Sequence, residues 1–152
     1  METHSIERIL SNQSTFKNLE PKCIELIAGC ATHRTFAEGE FILKEGEDAS
    51  KFFVVKKGRV AIEVYTGNKG SLKIQTLSDR DLLGWSWLFP PYKNQFDALA
   101  LTTVNTIMFE ASCIREKCAK DYRFGYLILH RITEVVVDRL RNTRLQLIDI
   151  YK

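Results

Sequence analysis

Between Thr35 and Glu110 the chain is cut into short β-type runs by clusters of turn-forming residues: Glu38-Gly39-Glu40, Glu45-Gly46-Glu47-Asp48, Lys57-Gly58, Thr66-Gly67-Asn68-Lys69-Gly70 and Ser78-Asp79-Arg80-Asp81. No other feature restricts the fold as strongly. The runs between them, Phe52-Phe53-Val54-Val55, Val60-Ala61-Ile62-Glu63-Val64-Tyr65, Leu72-Lys73-Ile74-Gln75-Thr76-Leu77 and Ala98 to Phe109, are rich in β-branched and aromatic residues, which fit a pleated, partly buried surface. Short strands with regular turns predict a barrel or sandwich.

Helical periodicity flanks this region on both sides. From about Ser5 to Ala31, Ile6, Ile9 and Leu10 make one short apolar face, and Ile24, Leu26, Ile27 and Cys30 make a second after Pro21, a residue suited to a first helical turn. From about Ser112 to Lys152, Leu129, Ile132, Val136, Leu140, Thr143, Leu147 and Ile150 recur at three- and four-residue steps, one stripe of a helix more than five turns long. Such a stripe needs a cover. Pairing with a second copy through this helix is the economical expectation, and folding back onto the chain's own domain is the competing one. Arg131, Arg139, Arg141 and Arg144, interleaved with Glu134 and Asp138, read as a solvated face.

Composition narrows the function classes. The 152 residues carry 22 Lys and Arg against 19 Asp and Glu, a net +3 with 45% hydrophobic residues, the balance of an ordinary soluble domain. No window offers the run of roughly 20 apolar residues of a spanning helix, and Met1 to Asn12 does not read as a signal peptide. A cytoplasmic location without membrane contact is expected, and the small surplus of positive charge is no basic stripe for nucleic acid. Cys23, Cys30, Cys113 and Cys118 lack the spacing of a zinc site and read as free buried thiols. A redox or iron–sulfur role would need Cys23, Cys30 and a third, distant thiol such as Cys118 to converge. His4, His33 and His130 have no nucleophile or carboxylate arranged beside them, so the expectation is not an enzyme, and no metal site is expected.

An α-helical lead, a glycine-punctuated β-roll and a long exit helix together resemble the cyclic-nucleotide-binding domain of the catabolite-activator and Fnr type of regulator. The carriers are Phe36-Ala37-Glu38-Gly39-Glu40-Phe41-Ile42, Glu45-Gly46-Glu47, Phe52-Phe53-Val54-Val55 with Gly58 before Val60, and Leu77-Ser78-Asp79-Arg80-Asp81-Leu82-Leu83-Gly84. The resemblance implies a mainly β fold with flanking helices. Specifically, it implies a jelly-roll (double-stranded β-helix) with N-terminal helices at about 5–31, the roll at 35–110 and C-terminal helices at 112–152, all in one domain spanning 1–152.

It also implies a ligand cassette at 84–98. In the family an acidic residue directly after the glycine holds the ribose, and an arginine at the far end of the cassette pairs with the cyclic phosphate. Here Trp85 stands at the first position. Aligning Ala98 with the alanine after that arginine puts Phe96 at the second, with Gln95 and Lys93 as the alternatives if the cassette is longer. The ligand-binding candidates are therefore Gly84, Trp85, Ser86, Trp87, Leu88, Lys93, Gln95, Phe96, Asp97 and Ala98, with a short helix N-terminus offering backbone N–H groups to an anion. Between Leu82 and Val104 the only charges are Lys93 and Asp97, so the family's guanidinium fork on phosphate has no counterpart in the cassette.

What the cassette carries instead is aromatic density: Trp85, Trp87, Phe89, Tyr92 and Phe96. Three readings stand side by side. The rings line a pocket for a flat or apolar ligand, close a vestigial pocket as core, or form a contact patch for a partner protein. No helix-turn-helix follows Ile150, so direct DNA binding is not expected. The expectation is a ligand-sensing regulatory module without a bound cofactor, taking a cyclic nucleotide or another small molecule. It would pair through Leu129, Ile132, Val136, Leu140, Thr143, Leu147 and Ile150 and act on an unidentified partner protein. The alternative is a structural or adaptor protein with a closed pocket.

Overall fold

A computed structural model describes the backbone over residues 2–152 and the side chains from His4 onward. Two helices, α1 (Glu2–Asn12) and α2 (Pro21–Ala28), lead into eight strands. These are β1 (Ala31–Phe36), β2 (Phe41–Leu43), β3 (Lys51–Lys57), β4 (Val60–Tyr65), β5 (Ser71–Leu77), β6 (Leu82–Leu83), β7 (Asp97–Ala100) and β8 (Val104–Glu110). A single 3-10 turn, Ser86–Leu88, lies between β6 and β7. Helices α3 (Ala111–Lys120) and α4 (Tyr122–Ile150) complete the chain. The strands form two antiparallel four-stranded sheets, ordered β1-β8-β3-β6 and β2-β7-β4-β5, the facing sheets of the predicted jelly-roll.

Period-2 side-chain alternation along β3 divides the interior in two. Phe53 and Val55 point between the sheets and join Phe36, Val60, Ile62, Leu83, Phe96 and Val104. Phe52 and Val54 point the other way and pack with Leu82, Ile107 and Phe109 against Ile6, Leu10, Ile27, Ile114, Phe124 and Ile128 of the helices. A strand covered on both faces explains the unbroken apolar run Phe52–Val55. Gly58, in the β3–β4 turn, has φ +118°, and a Cβ there would stand 2.5 Å from the Thr103 carbonyl oxygen; only glycine fits.

Three expectations are corrected. The region from Ala98 to Phe109 is two strands rather than one, and β1 begins at Ala31, ahead of the expected boundary at Thr35. The C-terminal helices divide, without change to the expectation, at Asp121, whose side chain accepts a hydrogen bond from the Phe124 backbone N–H and caps α4. The cysteines are not all free: Cys30 and Cys113 form a disulfide that ties the entry to β1 to α3, leaving Cys23 and Cys118 as thiols. That bond removes Cys30 from any converging thiol set. No group of three or more potential metal ligands occurs among the described residues, and no described helix is long and apolar enough to cross a membrane.

The exit helix α4 lies along its own domain for much of its length. Phe124, Ile128 and Ile132 are buried, and Val135 packs on the same core. Three polar side chains then reach the roll or its approaches. Arg131 donates to the backbone oxygens of Thr15 and Lys17, Arg139 to that of Leu82, and Gln146 to that of Ile74 at 2.8 Å. Arg131 and Arg139 therefore leave the expected solvated face. The predicted stripe is split: Ile132 is buried in the domain's own core, whereas Leu129, Leu140, Leu147 and Ile150 remain exposed.

Candidate functional site

The cassette begins at Gly84, whose φ of +97° follows from the turn out of β6. The chain then makes the 3-10 turn Ser86–Leu88, which is three residues long. This is too short for the N-terminal anion site the resemblance implies, because the dipole and the free N–H groups of a longer helix are missing.

Adjacent tryptophans go to opposite sides. Trp87 is fully buried and stacks on Phe52, with ring centroids 4.4 Å apart and planes within 8°; its carbonyl accepts a bond from Arg115 of α3. It is core, not pocket lining. Leu88 packs partly buried on the same core. Trp85 turns instead toward the roll mouth, edge-on to Phe96 at 6.0 Å. Ser86 is half-buried, and Ala98 is buried within β7.

The polar candidates disperse. Lys93 is exposed and pairs with Asp48 across the loop, Gln95 is exposed and donates to the Lys93 carbonyl oxygen, and Asp97 accepts from the Glu45 backbone N–H at 2.8 Å. Each of these holds the loop together. The Asp48 carboxyl is held below its ordinary range by the hydrogen bond from Lys93 and its charge. A lysine already engaged this way is a poor substitute for a phosphate-binding arginine.

The structure does bring Trp85 and Phe96 together, and it adds residues that the sequence did not single out. They line a cavity of about 250 Å³ with Ile62 of β4, Ile74 and Gln75 of β5, and Val136, Arg139, Leu140 and Thr143 of α4. Val136, Leu140 and Thr143, expected at a dimer interface, thus form one wall of this cavity. Arg139 is its only cationic group. The guanidinium carbon lies 4.8 Å from the centroid of the Trp85 ring, Nη2 donates to the Leu82 carbonyl oxygen, and Nη1 is buried without a hydrogen-bond partner. Burial pushes Arg139 down to about 10, with the charge of Asp81 opposing the shift, so the side chain is still cationic at neutral pH. In the sequence Arg139 stands seven residues after Ile132, at the border of the apolar stripe, and reads as one of the solvated charges because of its own charge. Only the packing of α4 over the roll reveals its inward position.

Comparisons with known proteins agree with this architecture. A cGMP-dependent protein kinase, egl-4, of Caenorhabditis briggsae is 35% identical over 86 residues, 55% of this chain. The match covers 12% of that kinase, so the chain spans far less than two thirds of its length. A crystal structure of a putative cyclic nucleotide-binding protein from Geobacter metallireducens superposes with a TM-score of 0.80 at 23% identity, over 90% of this chain and 98% of that one. The regulatory subunit of a cAMP-independent protein kinase A from Trypanosoma cruzi, bound to guanosine, superposes with a TM-score of 0.68 at 18% identity, over 82% of this chain and 48% of that one. At these identities the two structures speak to the fold alone. The family profile described as the cyclic nucleotide-binding domain matches residues 33–121. With more than half of its length so matched, the chain belongs to the cyclic nucleotide-binding domain family.

Proposed function

We propose that this protein is a non-enzymatic sensor of the catabolite-activator and Fnr type, which binds a small molecule between roll and exit helix and passes the signal to a partner protein. One observation carries the reading: the cavity has walls from both bodies, Ile62, Trp85 and Phe96 on the roll and Val136, Arg139 and Leu140 on α4. A ligand held there touches the fixed and the moving element at once. It can shift the helix equilibrium only by binding two helix positions with different affinity, and a shared wall supplies that difference.

The exposed Leu147 and Ile150 support pairing of two copies along the distal turns of α4, since an open apolar row on a long helix is covered economically by its own copy. A cytoplasmic setting is part of the reading. The neighbour bound to guanosine adds a neutral nucleoside to the ligands tried.

The test is isothermal titration with cyclic AMP, cyclic GMP and guanosine at about millimolar concentration, where an affinity near −4 kcal/mol still registers. Saturable heat with at least one, lost in a cavity-filling Val136→Trp variant, is expected. Silence with all three would favour the adaptor with a closed pocket.

A further inference from the structure

A second cavity, which shares no residue with the one beneath α4, opens between α1, β3 and the turn before β6. It measures about 310 Å³, the low end of the range for small ligands. Ile9, Val54 and Val55 give it an apolar lining, and Arg8 of α1, Lys56 of β3 and Arg80 of the turn bring three cations to it. Among the described residues no carboxylate lines it. The acidic residues beside these cations in the chain are engaged elsewhere: Glu7 lies 3.7 Å from His4, Asp79 accepts from the Gly58 backbone N–H at 3.0 Å, and Asp81 from that of Ser78 at 2.8 Å. Arg8, Lys56 and Arg80 make no ion pair among the described residues. Lys56 Nζ donates to His33 Nδ1 at 2.8 Å, and that nitrogen accepts only on an uncharged ring, so the ammonium charge stays uncompensated.

Arg80 is held by its backbone rather than by its side chain. Its φ is +76°, in the left-handed region that side chains rarely adopt. The N–H donates to the Val55 carbonyl oxygen at 2.7 Å, and the carbonyl oxygen accepts from Gln13 Nε2 at 2.7 Å and Ser14 Oγ at 3.3 Å. Gln13 is itself buried and fixed, its Oε1 accepting from the backbone N–H groups of Thr15 and Phe16. The turn is thus clamped between β3 and the end of α1. Glycine would cost less at this backbone, and strain over-determined by its surroundings is a mark of functional positions.

Three like charges gathered from positions 8, 56 and 80 repel one another unless an anion joins them. A monoanion would leave much of that repulsion. A phosphate group concentrates about two negative charges in a small volume and accepts hydrogen bonds on every side, which suits cations approaching from three elements. We propose that the cleft between α1 and β3 binds a compact phosphate compound, gripped by Arg8, Lys56 and Arg80. The site is independent of the sensing cavity and of its ligand.

Inorganic pyrophosphate is the probe, titrated by calorimetry to about millimolar at constant ionic strength. Saturable binding is expected, weakened about tenfold or more by Arg80→Gly and likewise by Arg8→Gln. Glycine accepts the +76° backbone and keeps the hydrogen bonds at residue 80, so the turn should survive, and thermal melts check that both variants fold. Lys69→Ser takes the same charge from the exposed β4–β5 turn and should leave the affinity within about twofold. Val136→Trp, which fills the other cavity, should also leave it. No saturable heat with pyrophosphate would overturn the proposal. So would an affinity that either arginine variant leaves unchanged, or that Lys69→Ser lowers as much, because net charge alone would then explain it. Loss of binding in Val136→Trp would place the anion beneath α4, overturning this site while the sensing reading stands.

Discussion

The Arg139 guanidinium of the exit helix lies over the Trp85 ring at 4.8 Å, so the helix and the first cassette residue after Gly84 meet in one contact. The family expectation for the cassette is a carboxylate near its start and an arginine at its end. Here an aromatic ring stands at the start, and a cation comes from α4 instead.

Arg139 should therefore cost stability in the ligand-free protein. Its depressed pKa means that the charged form is disfavoured in the fold; the penalty is fully present below about pH 10 and fades as pH rises toward the ordinary arginine range. At pH 7, Arg139→Met removes the charge and keeps apolar volume, a change that is often neutral or stabilising for a buried ion. A melting temperature unchanged or raised by up to about 4 °C is expected. A drop of several degrees in calorimetry would show that the contacts to Trp85 and Leu82 outweigh the charge penalty.

The two tryptophans should separate stability from binding. Trp87→Ala empties a stacked core site next to Phe52 and Phe109, with an expected loss of about 3–5 kcal/mol in urea unfolding. Trp85→Ala, at the half-buried mouth, should lose far less and should weaken binding in the cavity. Similar losses from the two changes would contradict the division.

Thiol chemistry gives a direct count. Without reductant, the denatured protein should show two reactive thiols, Cys23 and Cys118, rising to four after reduction. Burial pushes both free thiols up, so in the native state they should alkylate more slowly than an exposed cysteine. Reducing Cys30–Cys113, which closes a loop of 83 residues, should destabilise the fold by about 2–5 kcal/mol. Four thiols without reductant would mean that the pair is not bonded in the protein as made.

How much of this was legible in the sequence depends on whether the cause is local. Turn glycines and period-2 runs act over a few residues, which is why Gly58 and the two-sided apolar run Phe52–Val55 predict the roll. Arg139 and Gln146 were not legible: they stand seven and fourteen residues after the buried Ile132, at the border of the apolar stripe, but as polar side chains they read as solvated, and only the path of α4 across β5 and β6 makes them inward-facing. Trp85 and Trp87 are two residues apart with the same chemistry, and their places before and within the 3-10 turn Ser86–Leu88, not their identity, send one to the cavity and one to the core. The Cys30–Cys113 bond joins residues 83 apart, a pairing that spacing alone does not select.

Pairing along α4 predicts a change in mass. Leu147→Lys together with Ile150→Lys places charges in the exposed apolar row without touching the cavity. Light scattering should shift from about twice the 17.5 kDa chain mass to a monomer, while the melting temperature stays within about 2 °C, as for surface changes. A mass that is the same before and after would remove the dimer from the account.

The most direct measurement follows the Trp85 emission in a Trp87→Phe background, where Trp85 is the single tryptophan and lines the cavity. Cyclic AMP, cyclic GMP and guanosine would each be titrated to about millimolar. A saturable change with at least one of them, absent when the cavity-filling but tryptophan-free Val136→Phe is added, is the predicted result. Flat emission with all three in a folded protein would contradict a ligand site between the roll and the exit helix.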